Sequence, residues 1–98
     1  MLAHHVLFWL KAETTEDQIA AFKKGLESLE NIETVKTFHI GTPAAIDRAV
    51  VDVTYTFSLI IFFEGMEGHD VYQVHELHTA FLDQFRELFE KVVIYDAQ

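Results

Sequence analysis

The chain has 98 residues, half of them hydrophobic and nine of them Phe, with 16 acidic against seven basic side chains and a formal charge of −9. That length bounds it to a single domain over residues 1–98 with one core. The acidic balance speaks against nucleic acid and anionic membrane as partners, since both need clustered cations, and the absence of cysteine excludes disulfides and thiolate metal sites.

The N-terminal MLAHHVLFWLKAE lacks the basic leader of a signal peptide. The longest apolar run, Phe57–Phe63, is far too short to cross a bilayer. A cytoplasmic protein is the expectation. From His4 to Leu10 the chain is dense in apolar and aromatic residues and reads as a strand buried on both faces. Next comes TTEDQIAAFKKGLESLE, where Thr15 and Gln18 have capping-box spacing and Ile19, Phe22, Leu26 and Leu29 recur at helical intervals. Val35–Ile40 is a short second strand, stopped by Gly41 and Pro43, and residues 41–53 read as a loop.

Thr54–Glu64 is the strongest strand, rich in aromatic and β-branched residues, and Gly65 and Gly68 punctuate the turn after it. A second helical region spans about residues 67–90 with a bend expected near His75. Lys91–Ala97 is the last strand. The order β-α-β-β-α-β is that of the α+β, ferredoxin-like motif, a four-stranded antiparallel sheet with its helical layers on one face.

Alternation then assigns faces. In the third strand Tyr55, Phe57, Leu59, Ile61 and Phe63 point one way, and Thr56, Ser58, Ile60 and Phe62 the other. Helices can cover only one face, yet the second also carries large apolar side chains, Trp9 among them. Two such sheets packed face to face about a two-fold axis would bury both, so a homodimer is expected.

The stretch VYQVHELHTAF holds the chemistry-bearing side chains. As one helix, it aligns Val71, Val74, His78, Phe81, Phe85 and Leu88 in an apolar stripe, with Tyr72 and His75 beside it. His78 is then either a core histidine bonded to backbone or an imidazole at a cavity wall, tuned for proton transfer. Tyr72 could donate to a carbonyl oxygen or an enolate. His75 and His78, separated by Glu76 and Leu77, miss the H-E-x-x-H spacing that aims two imidazoles at one ion, so no metal site is expected. No phosphate-binding glycine loop or nucleophile elbow is present, and no cofactor is expected. His4 and His5 must face opposite sides of the first strand, and the sequence leaves open which one meets the helices. His39 and His69 read as ordinary surface or strand-end histidines.

The first-strand HHVLF, the HIGTPA after the second strand and the segment FSLIIFFEGMEGHDVYQVHELH together resemble the stress-responsive dimeric α/β-barrel family. The resemblance covers essentially the whole chain, and its most specific element is a Y-x-x-H-P-x-H segment matched by Tyr72, His75 and His78, with Glu76 in place of the proline. It implies ferredoxin-like subunits that pair their sheets to enclose a barrel. Most members have no established activity, while a plant polyketide cyclase of the family closes a ring by aldol chemistry. By that likeness Tyr72 would orient or polarise substrate, His78 would be the general base and His4 would assist through a hydrogen bond. His75, His5, Phe81 and Trp9 are the expected substrate-binding residues, for a small apolar or phenolic ligand. Three functions compete: a stress-associated dimer of uncharacterised activity, a cofactor-free cyclase or isomerase, and a monooxygenase-like or haem-handling barrel.

Overall fold

The computed structural model describes residues 1–98. Its elements in chain order are β1 (Leu2–Leu10), α1 (Glu16–Ser28), β2 (Thr37–Gly41), β3 (Phe57–Phe63), α2 (Met66–Val74), α3 (Glu76–Phe85) and β4 (Phe89–Ala97), with short 3₁₀ turns closing α1 and α3. The four strands form one antiparallel sheet in the order β2-β3-β1-β4, the ferredoxin-like arrangement. No helix is long and apolar enough to cross a membrane.

Local chemistry accounts for the helix starts. Thr15 caps α1: its hydroxyl accepts from the Gln18 N–H, and the Gln18 side chain accepts from the Thr15 N–H in return. Glu16 and Asp17 follow in the first turn, where negative charge suits the helix dipole. The helix buries Phe22 and Leu26 completely. The Phe22 ring stacks on Phe57 and meets Phe8, Phe81, Phe85 and Phe89 edge-on. A phenyl group so enclosed contributes about 1.5–3 kcal/mol by burial alone. Gly25 on α1 allows α3 to approach, because a Cβ there would lie 2.4 Å from the Phe85 ring.

The even-numbered residues of β1, Leu2, His4, Val6 and Phe8, are buried under the helices, while His5, Leu7 and Trp9 are only half-buried. Thus β1 is covered on one face, not on both as its sequence suggests. In β3 the alternation of Phe57, Leu59, Ile61 and Phe63 holds. Tyr55 does not follow it. The strand begins only at Phe57, and Tyr55 folds to the open face against Trp9, ring centroids 6.4 Å apart.

The second helical region is two helices. His75 has extended backbone geometry (φ −64°, ψ 142°) and separates α2 from α3 even though Glu76, not proline, follows it. The single stripe expected from Val71 to Leu88 is broken accordingly. Val71 and Val74 are 40% and 80% exposed, and Tyr72 is the residue that α2 buries. Each helix sets its own phase once the chain bends.

Candidate active site

Three elements converge beneath α2 and α3. β1 supplies His4, α2 supplies Tyr72 and α3 supplies His78 and Phe81, all at the wall of a cavity of about 180 Å³. Apolar side chains, including Val6, Leu59 and Phe89, make up most of the remaining wall. The Tyr72 and His78 ring centroids are 4.7 Å apart, and Tyr72 and His4 are 5.5 Å apart.

The helix break creates this proximity. On a continuous helix, residues six apart point about 120° away from each other and are about 9 Å apart along the axis. At His75 the ladder is interrupted and its bonds are exchanged. The Leu77 N–H, which would reach the Gln73 carbonyl in an unbroken helix, donates instead to His75 Nδ1 at 3.1 Å. The released Gln73 carbonyl accepts from His78 Nδ1–H at 3.1 Å. That bond fixes the tautomer of His78 and leaves Nε2 as its unprotonated, basic nitrogen.

Burial shifts the titration of all three rings. Burial holds His78 below its ordinary value of 6.5, the Gln73 carbonyl opposes this, and the neighbouring His4 and His69 lower it further. The imidazole is therefore neutral near pH 7 and able to accept a proton. Burial also raises the Tyr72 phenol well above its usual value, so it stays protonated and can donate. Tyr72 is only 1% exposed, burial alone acts on its phenol with no hydrogen bond to protein, and it lines the cavity. His4, 2% exposed, is lowered mainly by burial, against the raising effect of its bond to Asp96. The pair lies directly cross-strand, β1 to β4, with Nδ1–H donating to Oδ1 at 2.5 Å.

Three expected substrate-binding residues stand elsewhere. His75 caps α3, and its Nε2 lies 3.4 Å from a Glu33 carboxylate oxygen. It is not among the residues that line the cavity. His5 and Trp9 occupy the opposite face of the sheet, as strand alternation requires, where they line a shallow depression of about 350 Å³. There His5 shares a 2.8 Å hydrogen bond with Ser58, and Trp9 donates to Thr54 and packs under the Lys91 ammonium. Which histidine meets the helices is thus answered: His4.

Sequence reasoning missed three residues of this cluster. Asp96 required the β1–β4 register. Gln73 contributes mainly through its backbone carbonyl. His69, read as a surface residue, is only 15% exposed and packs edge-on against His4, its ring centroid 5.3 Å away. One signal was available, because His69 precedes Tyr72 by three residues and so shares its helix face.

Comparison with known proteins agrees with this fold. Residues 2–98 match the model of the Stress responsive A/B Barrel Domain family. The stress-response A/B barrel domain-containing protein At5g22580 of Arabidopsis thaliana is 34% identical over 95 residues, covering 95% of this chain and 81% of the relative. Olivetolic acid cyclase of Cannabis sativa is 30% identical over 94 residues, covering 95% of this chain and 91% of that enzyme. The crystal structure of At3g17210 from Arabidopsis thaliana superposes with a TM-score of 0.83 at 28% identity, covering 100% of this chain and 94% of the other. Structural neighbours from Thermobifida fusca and Bacteroides fragilis, alike in fold, are described as dimeric ferredoxin-like proteins. By sequence over nearly its whole length and by fold, the chain belongs to the stress-responsive A/B barrel domain family.

Proposed function

We propose that the cavity binds a small carbonyl compound with an apolar or phenolic body, and that Tyr72, His78 and His4 move protons within it without a cofactor. The observation that carries this is the convergence of a neutral imidazole and a partnerless phenol on one apolar cavity. In an aldol closure His78 Nε2 takes a proton from the carbon next to one carbonyl. That carbon then bonds to a second carbonyl carbon, whose oxygen becomes an alkoxide and receives the proton from the imidazolium. The Tyr72 hydroxyl donates a hydrogen bond to the oxygen on which negative charge develops. His4, oriented by Asp96, assists from the strand side. The relative named as a cyclase supports this class of reaction. At about 180 Å³ the cavity is below the ~300–1,000 Å³ of drug-sized sites, which favours a compact ligand and disfavours a haem.

We propose also that two copies pair through the open sheet face. Leu7, Trp9, Val93 and Tyr95 lie around the depression there, and Tyr95 is 62% exposed. The dimeric descriptions of the structural neighbours support a two-subunit assembly, whichever face it uses. Light scattering should give twice the 11.3 kDa of the chain at micromolar concentration, and a monomer mass refutes the pairing.

His78→Ala tests the site. Thermal unfolding and binding to a panel of phenolic and polyketide-like compounds are measured together. Lost binding with little change in melting temperature supports the proposal. If no compound binds the wild type and His78→Ala unfolds many degrees earlier, the histidine is structural and the reading fails.

A further inference from the structure

Beside the cavity, His4, His69 and Asp96 bring two imidazole nitrogens and a carboxylate oxygen within 4.8 Å of one another. They come from β1, α2 and β4, so no local sequence pattern announces them. We infer that these three side chains form a binding site for a divalent transition-metal cation of the zinc class. Two imidazoles and one carboxylate on one side of an ion leave its remaining positions open to water or ligand.

The surroundings of His69 carry the inference beyond simple proximity. Its Nδ1–H donates to the Asp70 carboxylate at 3.1 Å, which fixes the tautomer and leaves Nε2 unprotonated. Nε2 is the nitrogen that faces Asp96, 3.8 Å from Oδ2, and Gln73 donates to it at 3.2 Å. A carboxylate behind a histidine whose other nitrogen meets the ion is the usual outer-shell support of metal-binding imidazoles. Asp96 spans the two rings, with one oxygen on His4 Nδ1 and the other toward His69. Its 37% exposure leaves it room to swing from the His4 hydrogen bond to the wider separation that metal–ligand bonds of ~2.0–2.2 Å need. The ion displaces the proton that His4 and Asp96 share. The chain's charge of −9 adds a general attraction for cations.

The site shares His4 with the proposed proton-transfer cavity, and its test needs no activity. The full chain is titrated calorimetrically with Zn2+, and with Co2+ while visible absorption is followed. One Zn2+ per chain is expected, together with a Co2+ absorption band. His69→Ala and Asp96→Asn should each weaken Zn2+ binding more than 100-fold. Asp70→Asn should weaken it about 10–100-fold by loosening His69. His39→Ala, on a strand far from the site in sequence and exposed, should bind as the wild type does. Circular dichroism without metal checks that each variant is folded; if Asp96→Asn is not, His69→Gln takes its place. Equal affinity in wild type and His69→Ala places the cation among surface carboxylates and overturns the inference. So does the absence of stoichiometric binding to the wild type.

Discussion

Replacing Tyr72 by Phe separates a structural hydroxyl from one kept for a ligand. The ring itself is firmly held: it is 1% exposed and packs against Phe63, His4 and His78. Phe preserves those contacts, so the change isolates the oxygen. A buried tyrosine hydroxyl bonded to protein contributes about 0.5–1.5 kcal/mol, and more is lost when its partner is stranded. Tyr72 has no such partner, so the loss should lie within about 0.5 kcal/mol of zero. For a domain of this size, 1 kcal/mol corresponds to about 4–8 °C. The melting temperature should thus stay within about 4 °C of wild type, or rise, while binding of a phenolic or carbonyl ligand weakens. Thermal unfolding by circular dichroism and a ligand titration on the same samples provide the check. A fall of more than about 8 °C would refute the reasoning, because it would mean that the hydroxyl is bonded to protein.

Gly25→Ala should destabilise although alanine is the better helix former. The gain of about 1 kcal/mol in propensity is outweighed by an overpacking cost of about 1–3 kcal/mol, since the added Cβ meets the buried Phe85 ring at 2.4 Å; a raised melting temperature contradicts this. His75→Ala should cost about 1 kcal/mol through loss of the α3 cap, and His75→Asn should restore most of it; thermal unfolding of both variants decides. Stability should fall as pH drops below 6.5, because His4 and His78 have folded-state values below that figure and the unfolded chain binds more protons there. Their contribution is complete above 6.5 and is lost as pH falls toward the lowered values. Melting curves at about pH 7.5 and about pH 5.5 measure it, and His78→Gln should flatten the difference.

The alternation of β3 and the start of α1 were legible because each rests on a local rule, the two-residue period in one case and the Thr15–Gln18 box in the other. The Tyr72–His78 pair was legible only as residue types. A stripe drawn through Val71 and Val74 assumed one helix, and nothing in the propensities of HELH requires the stop at His75. Histidine is an unusual helix cap, and its capping bond forms only in the folded geometry. Asp96 and His69 were illegible for a different reason. Their meaning depends on which strand lies beside β1 and which turn of α2 lies above it, and both are facts of tertiary register.

The joint at His75 has a consequence for how such a cavity can be retuned. Its width depends on the angle between two short helices as well as on the side chains that line it. A substitution at residues 75–77 could tilt α3 against α2 and move the His78 ring relative to Tyr72 while every wall residue stayed the same. Two chains with identical cavity residues could then accept ligands of different size, and the difference would reside in three residues of backbone outside the contact surface.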